Sequence, residues 1–322
     1  MAVTLSVLDL APIPDGGDAG TALRNSLDLA RRVEQLGYHR YWVAEHHNMP
    51  GVASAATAVL VAHLAQVTTG LRVGSGGIML PNHAPLVVAE QFGTLEALHP
   101  GRIDLGIGRA PGTDGTTAAA LRGARNVADF PQQLAELLTY FEPDETRTVH
   151  AIPAIGHKPP VWLLGSSGFS AKLAGELGLP FAFAHHISAR NTLPAVRVYR
   201  ESFRPSEALR EPYLMLSVAV VCAETQERAD WLAGPAELRF LSRHHGHPIK
   251  LPTPETAASY DYTDEDRQVL QRKFGSHLIG TPETVHKGLN ALAQDTGANE
   301  LMLTTMTHNH KDRVRSYELL AT

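Results

Sequence analysis

Cysteine is almost missing from this chain. Among 322 residues there is one, Cys222, which excludes an intramolecular disulfide and a cysteine zinc cluster. No run approaches the 18 or so consecutive apolar residues of a membrane span, so none is expected. Charge of one sign is also lacking. Lys plus Arg number 28 and Asp plus Glu 33, a net charge of −5, and no basic stretch offers a footprint for nucleic-acid phosphates. The opening MAVTLSVLDL has no positive leader and places Asp9 inside its apolar run, so no secretory signal is expected and the cytoplasm is the default location. Charged residues make up only 19% against 43% hydrophobic, a globular and not a disordered profile. A chain of this length buries enough surface to fold without a metal or disulfide. Its 17 histidines are the unusual abundance.

Hydrophobic spacing alternates between two periods along the chain. Strand patterns fall at Thr4–Leu10, His39–Glu45, Leu71–Leu80, Arg102–Gly108, Val161–Leu164, Pro180–Ala184, Tyr213–Ala223 and Glu300–Thr305. Helical patterns follow nearly every one, as in Asp18–Leu36, where Leu23, Leu27, Ala30 and Val33 share a face and Gly37 is a stop signal. Eight βα units predict a closed (β/α)8 TIM barrel in one domain, residues 1–322, in preference to an open doubly wound sheet. Residues 243–280 break the rhythm with HHGHPIKLPTP and YDYTDED. Insertions this long are functional or merely tolerated, and a mobile lid is the functional expectation.

A barrel places its chemistry at the C-terminal ends of its strands. Those predicted ends are Glu45-His46-His47-Asn48, Gly76-Gly77, Gly108-Arg109, Gly165-Ser166-Ser167-Gly168, His185-His186, and the approach to His308 and His310. A strand entering GSSGFS and then a helix makes a phosphate site, with Ser166, Ser167, Gly168 and Ser170 at the helix start; an ordinary N-cap reads the same way. Arg109 on the neighbouring strand favours phosphate. GIGRAPG is not a dinucleotide fingerprint, because no acidic residue follows at the required distance. The glycines of Gly74-Ser75-Gly76-Gly77 suit either a barrel kink or a flat ligand lying against the backbone. His46 and His47 are adjacent in an extended segment and should point to opposite sides. No metal site is expected, since the histidine pairs lack HExxH spacing.

Together WVAEHHN, VGSGGIMLPNHAP, GRIDLGIGRAPGTDG, VWLLGSSGFSAKLAGELGLPFAFAHH and HLIGTPETV resemble the bacterial-luciferase-like flavin monooxygenase family, in its single-chain oxidoreductase branch, over essentially the whole chain. The resemblance implies a two-component monooxygenase. Reduced FMN, supplied by a separate flavin reductase, would react with molecular oxygen through a flavin hydroperoxide to oxygenate a small organic substrate. It implies catalysis by His46, a non-proline cis peptide at Gly76-Gly77 beneath the flavin ring, and phosphate contacts from Arg109, Ser166, Ser167, Gly168 and Ser170. Their place at the predicted barrel mouth makes His47, His185, His186 and His308 substrate-pocket candidates, and the resemblance implies a homodimer. Gly108 stands where luciferase has a reactive cysteine, Ser166 stands where it has a glutamate, and efficient light emission is not expected. A second phosphate arginine has no clean match; Arg122 and Arg125 are the candidates. A deazaflavin-dependent dehydrogenase or reductase, and a non-catalytic flavin-binding protein, are the alternatives.

Overall fold

The structure is a computed structural model and describes residues 3–122 and 127–321. Its strands are β1 (Thr4–Asp9), β2 (Arg40–Val43), β3 (Arg72–Ser75), β4 (Ile78–Met79), β5 (Ile103–Gly108), β6 (Val161–Gly165), β7 (Phe181–Phe183), β8 (Leu214–Cys222), β9 (Leu278–Gly280) and β10 (Glu300–Thr304). Eight of them run β1-β2-β3-β5-β6-β7-β8-β10, every pair parallel, and β10 pairs back onto β1. The sheet is therefore closed, as the repeated βα pattern predicts.

Each strand sends alternate side chains inward and outward. In β2, Tyr41 and Val43 join the large apolar layer beneath the helices, whereas Trp42 faces the barrel axis. Both faces are buried, which is why the strands read as near-continuous hydrophobic runs.

The barrel interior is layered along its axis. At the N-terminal end Arg40 donates to Asp104 at 2.8 Å and to Glu300 at 3.1 Å, and Arg72 also binds Asp104. Tyr213 and Ser6 donate to Glu300, and Trp42 Nε1 donates to Asp104 at 3.0 Å. Above this polar plug lie Leu8, Trp42, Trp162, Met215 and Met302. Trp42 and Trp162 meet edge to face at 5.1 Å. This apolar layer is the floor of the cavity described below.

Two features depart from the sequence pattern. The third predicted strand, Leu71–Leu80, is interrupted at Gly76-Gly77, so that β3 and β4 flank a cis peptide. Residues 243–280 are also not without structure of their own. They hold the end of the long helix Gln226–His244, the helices Pro254–Ala258 and Asp264–Phe274, and β9, which pairs with β8. Polar caps explain the two new helices. Thr253 and Thr263 each accept from an N–H three residues on, and Asp266 completes a capping box with Thr263. Among the described residues no helix is long and apolar enough to cross a membrane.

Candidate active site

A cavity of about 230 Å³ opens at the C-terminal ends of the strands, over the Trp42–Met302 layer. His46, Gly76, Arg109, Ser166, Ser167 and Ser170 all line it. These six come from four different strand ends, and the closed barrel brings them together.

Two glycines leave room where side chains would intrude. A Cβ on Gly76 would stand 2.6 Å from Leu8 Cδ1, and one on Gly77 would stand 2.6 Å from the Gly106 carbonyl oxygen. Of the two only Gly76 lines the cavity, so its backbone forms this part of the wall, a surface suited to a flat ring, while Gly77 packs against β5 behind it.

Beyond the neighbouring β5, after β6, Ser167 is the N-cap of the nine-residue helix Gly168–Glu176 and has extended backbone (φ −150°, ψ 173°). Its hydroxyl makes no capping hydrogen bond, so the N-cap explanation of the serine turn does not account for it. The helix start and the serines offer donors toward the cavity, where an anion is favoured by the helix dipole. Arg109 leaves β5 beside them, its guanidinium 4.1 Å over the Phe169 ring. Donor set, positive charge and glycine cradle together fit a flavin mononucleotide. Gly168 is in the same turn but does not line the cavity.

His46 follows β2 and is held by its own backbone and ring. Its N–H donates to the Ser54 carbonyl at 3.2 Å, and Nδ1 lies 3.1 Å from the Gly112 carbonyl oxygen. Burial pushes the imidazole below its ordinary value, with Arg239 and Arg243 adding to that effect and the Gly112 carbonyl opposing it. His186 also lines the cavity; Nδ1 is 2.9 Å from Ser217 Oγ, and burial pushes its pKa down to about 3.

The other candidate histidines are placed elsewhere. His47 turns away from His46, as adjacency predicts, and meets Glu45 at 2.8 Å instead of lining the cavity. His185 pairs with Thr192 Oγ1 at 2.8 Å, and His308 with the Asp15 carbonyl at 3.2 Å, neither in the cavity wall. His310 binds Asp28. Arg122 donates to Asn82 Oδ1 at 3.0 Å and does not line the cavity. Arg125 lies outside the described residues. No cluster of metal-ligating side chains occurs among the described residues.

Sequence reasoning missed the hub behind His46. Glu45 is buried and accepts from His47, from His83 at 2.9 Å, from the Met79 N–H at 3.0 Å and from Asn82. Burial alone would raise its carboxyl pKa, but His83 above all, then His47 and Met79, hold it below the usual range. The signal was present in the PNHAP segment, where Asn82 and His83 stand beside the glycine run.

The comparisons with known proteins agree with this geometry. The luciferase-like monooxygenase family model matches residues 3–300. A luciferase-like monooxygenase of Escherichia coli (strain K12) is 45% identical, covering 98% of this chain and 96% of that protein. The uncharacterized protein YvbT of Bacillus subtilis (strain 168) is 53% identical, covering 98% and 95%. The crystal structure of apo-MsnO8 superposes with a TM-score of 0.93 at 39% identity, covering 99% of this chain and 97% of that one. The chain belongs to the luciferase-like monooxygenase family, as an enzyme of the flavin-dependent monooxygenase type.

Proposed function

We propose that the protein is an FMN-dependent monooxygenase of the two-component kind, acting on a small organic substrate with reduced FMN delivered by a separate reductase. One observation carries the reading: a strand-end cavity joins a glycine cradle, Arg109 and a serine turn whose N-cap hydroxyl makes no capping bond. Arg109, Ser166, Ser167 and Ser170 would hold the phosphate, and Gly76-Gly77 would leave space for the ring. When bound, reduced FMN supplies the two electrons with which one atom of O2 enters the substrate and the other leaves as water. His46 would hold or move a proton at the reacting atoms, through Nε2. The apolar floor of Trp42, Met215 and Met302 keeps water from the reaction.

A solved FMN complex of the same fold supports FMN. The oxygenating constituent of 3,6-diketocamphane monooxygenase, in complex with FMN, shares the fold at a TM-score of 0.74 and 20% identity. An F420-dependent secondary alcohol dehydrogenase shares it at 0.71 and 15%. An N-acetyl-S-alkylcysteine monooxygenase of Bacillus subtilis (strain 168) is 34% identical over 99% of this chain. The oligomer is proposed to be a homodimer, and the segment 243–280 to act as a lid.

The test is anaerobic titration of the full chain with reduced FMN, followed by oxygen. The expected result is saturable binding, then a protein-dependent delay in the return of oxidised-flavin absorbance. Reoxidation at the rate of free flavin would overturn the reading.

A further inference from the structure

A second cavity of about 220 Å³ adjoins the first and shares Leu10, His46, His186 and Ile187 with it. Its walls come from β8, the helix Gln226–His244 and the segment 243–280. Much of the lining is apolar, with Phe240, Phe274, Val221 and Met306 among it. Three cations also line it: Arg239, Arg243 and Lys273. Among the described residues no aspartate or glutamate lines it, so the cavity wall offers them no counter-charge of its own.

Arg239 is the informative one. Its Nη1 is fully buried and has no hydrogen-bond partner among the described residues. A buried guanidinium N–H left unpaired is costly, and the cost is removed only by an acceptor. Burial first, and Arg243 second, push its pKa down to about 10, so it stays charged at neutral pH. Lys273 is held nearby, donating to the His186 carbonyl oxygen at 3.0 Å.

We infer that this second cavity binds the substrate as an organic acid anion with an apolar body, its carboxylate on Arg239 and its apolar part directed to His46. The inference rests on the proposed oxygenation for the role of His46, but not for the binding itself. A guanidinium fork suits a carboxylate, and the apolar walls suit the remainder. The flavin phosphate is the other oxyanion that could seek these cations, and the experiment separates the two.

Calorimetric titration of the full chain, with and without FMN, would compare phenylacetate with its neutral counterpart phenylacetamide. Phenylacetate should bind about tenfold more tightly or better, in line with a charge-assisted hydrogen bond. Arg239→Met should erase that preference, and Arg239→Lys should keep part of it. Arg243→Met, at an exposed position, should reduce it and keeps the test open should Arg239→Met fail to fold. FMN affinity should be the same in all three variants. Equal binding of acid and amide, or binding of neither, overturns the inference. So does an Arg239→Met variant that loses FMN while keeping phenylacetate. A chain that prefers phenylacetate yet binds no FMN supports the inference and overturns the cofactor reading alone.

Discussion

A histidine whose Nδ1 faces a carbonyl oxygen must carry its proton there, which leaves Nε2 as an acceptor. His46 is in that state against Gly112, and burial keeps it neutral near pH 7. In the proposed reaction its Nε2 would therefore first accept a proton at the reacting atoms and then return it. His46→Ala should lower coupled oxygenation by about a hundredfold, the usual worth of one acid–base group, with FMN affinity unchanged; turnover and flavin titration in parallel would check it. Arg109→Ala should do the opposite and weaken FMN binding by about tenfold to a hundredfold, read by quenching of flavin fluorescence. Glu45 makes a pH prediction. Its folded carboxyl titrates below the ordinary 4.5, so its stabilising effect is complete above that value and disappears as pH falls through the lower folded one. Glu45→Gln should therefore be less stable at neutral pH and should flatten this part of the acid dependence, as seen in thermal melts across pH. The residues for this were only half visible in the sequence. EHHN and the serine turn announced themselves, but the Glu45–His83 contact spans 38 positions and follows from no local pattern.

Elements explain what local patterns could and could not supply. Parallel strands buried on both faces leave long apolar runs, so all eight barrel strands were readable. The short β9 was not, because three residues carry no period, and the break that sets β4 apart from β3 within the predicted third strand was not visible either. The segment 243–280 concealed its helices behind prolines, which in Pro254 and its neighbour Thr253 mark a helix start and not a loop. That segment is tied to the loop that follows β1 at the barrel mouth. Leu251 exchanges backbone hydrogen bonds with Ile13 and Asp15, and Lys250 donates to the Gly17 carbonyl at 2.8 Å. The β3–β5 pairing is as demanding as any in the barrel. A Cβ on Gly106 would lie 2.1 Å from the Ser75 carbonyl oxygen. Gly106→Ala should cost about 1–3 kcal/mol or more of stability, with loss of the neighbouring cradle, measurable by urea unfolding and FMN titration together.

The whole molecule separates stability from chemistry along one axis. Its N-terminal end is closed by Arg40, Arg72, Asp104 and Glu300, and its C-terminal end holds the cavities. Breaking a buried ion pair leaves a charge uncompensated, at a cost of about 3–5 kcal/mol. Asp104→Asn should accordingly lower the unfolding free energy by that amount while the folded fraction keeps its FMN affinity. Denaturation and titration of the same sample would check it, and a large loss of affinity at full folding would contradict the polarity. The overall architecture also gives the lone Cys222 a consequence. It ends β8, is buried, and burial pushes its thiol up to about 11, so it is a poor nucleophile at neutral pH. For a thiol-directed label the native chain therefore presents an inert surface. A cysteine placed at exposed Ser259 should be the single fast-reacting site, and a probe there would report any movement of that rim.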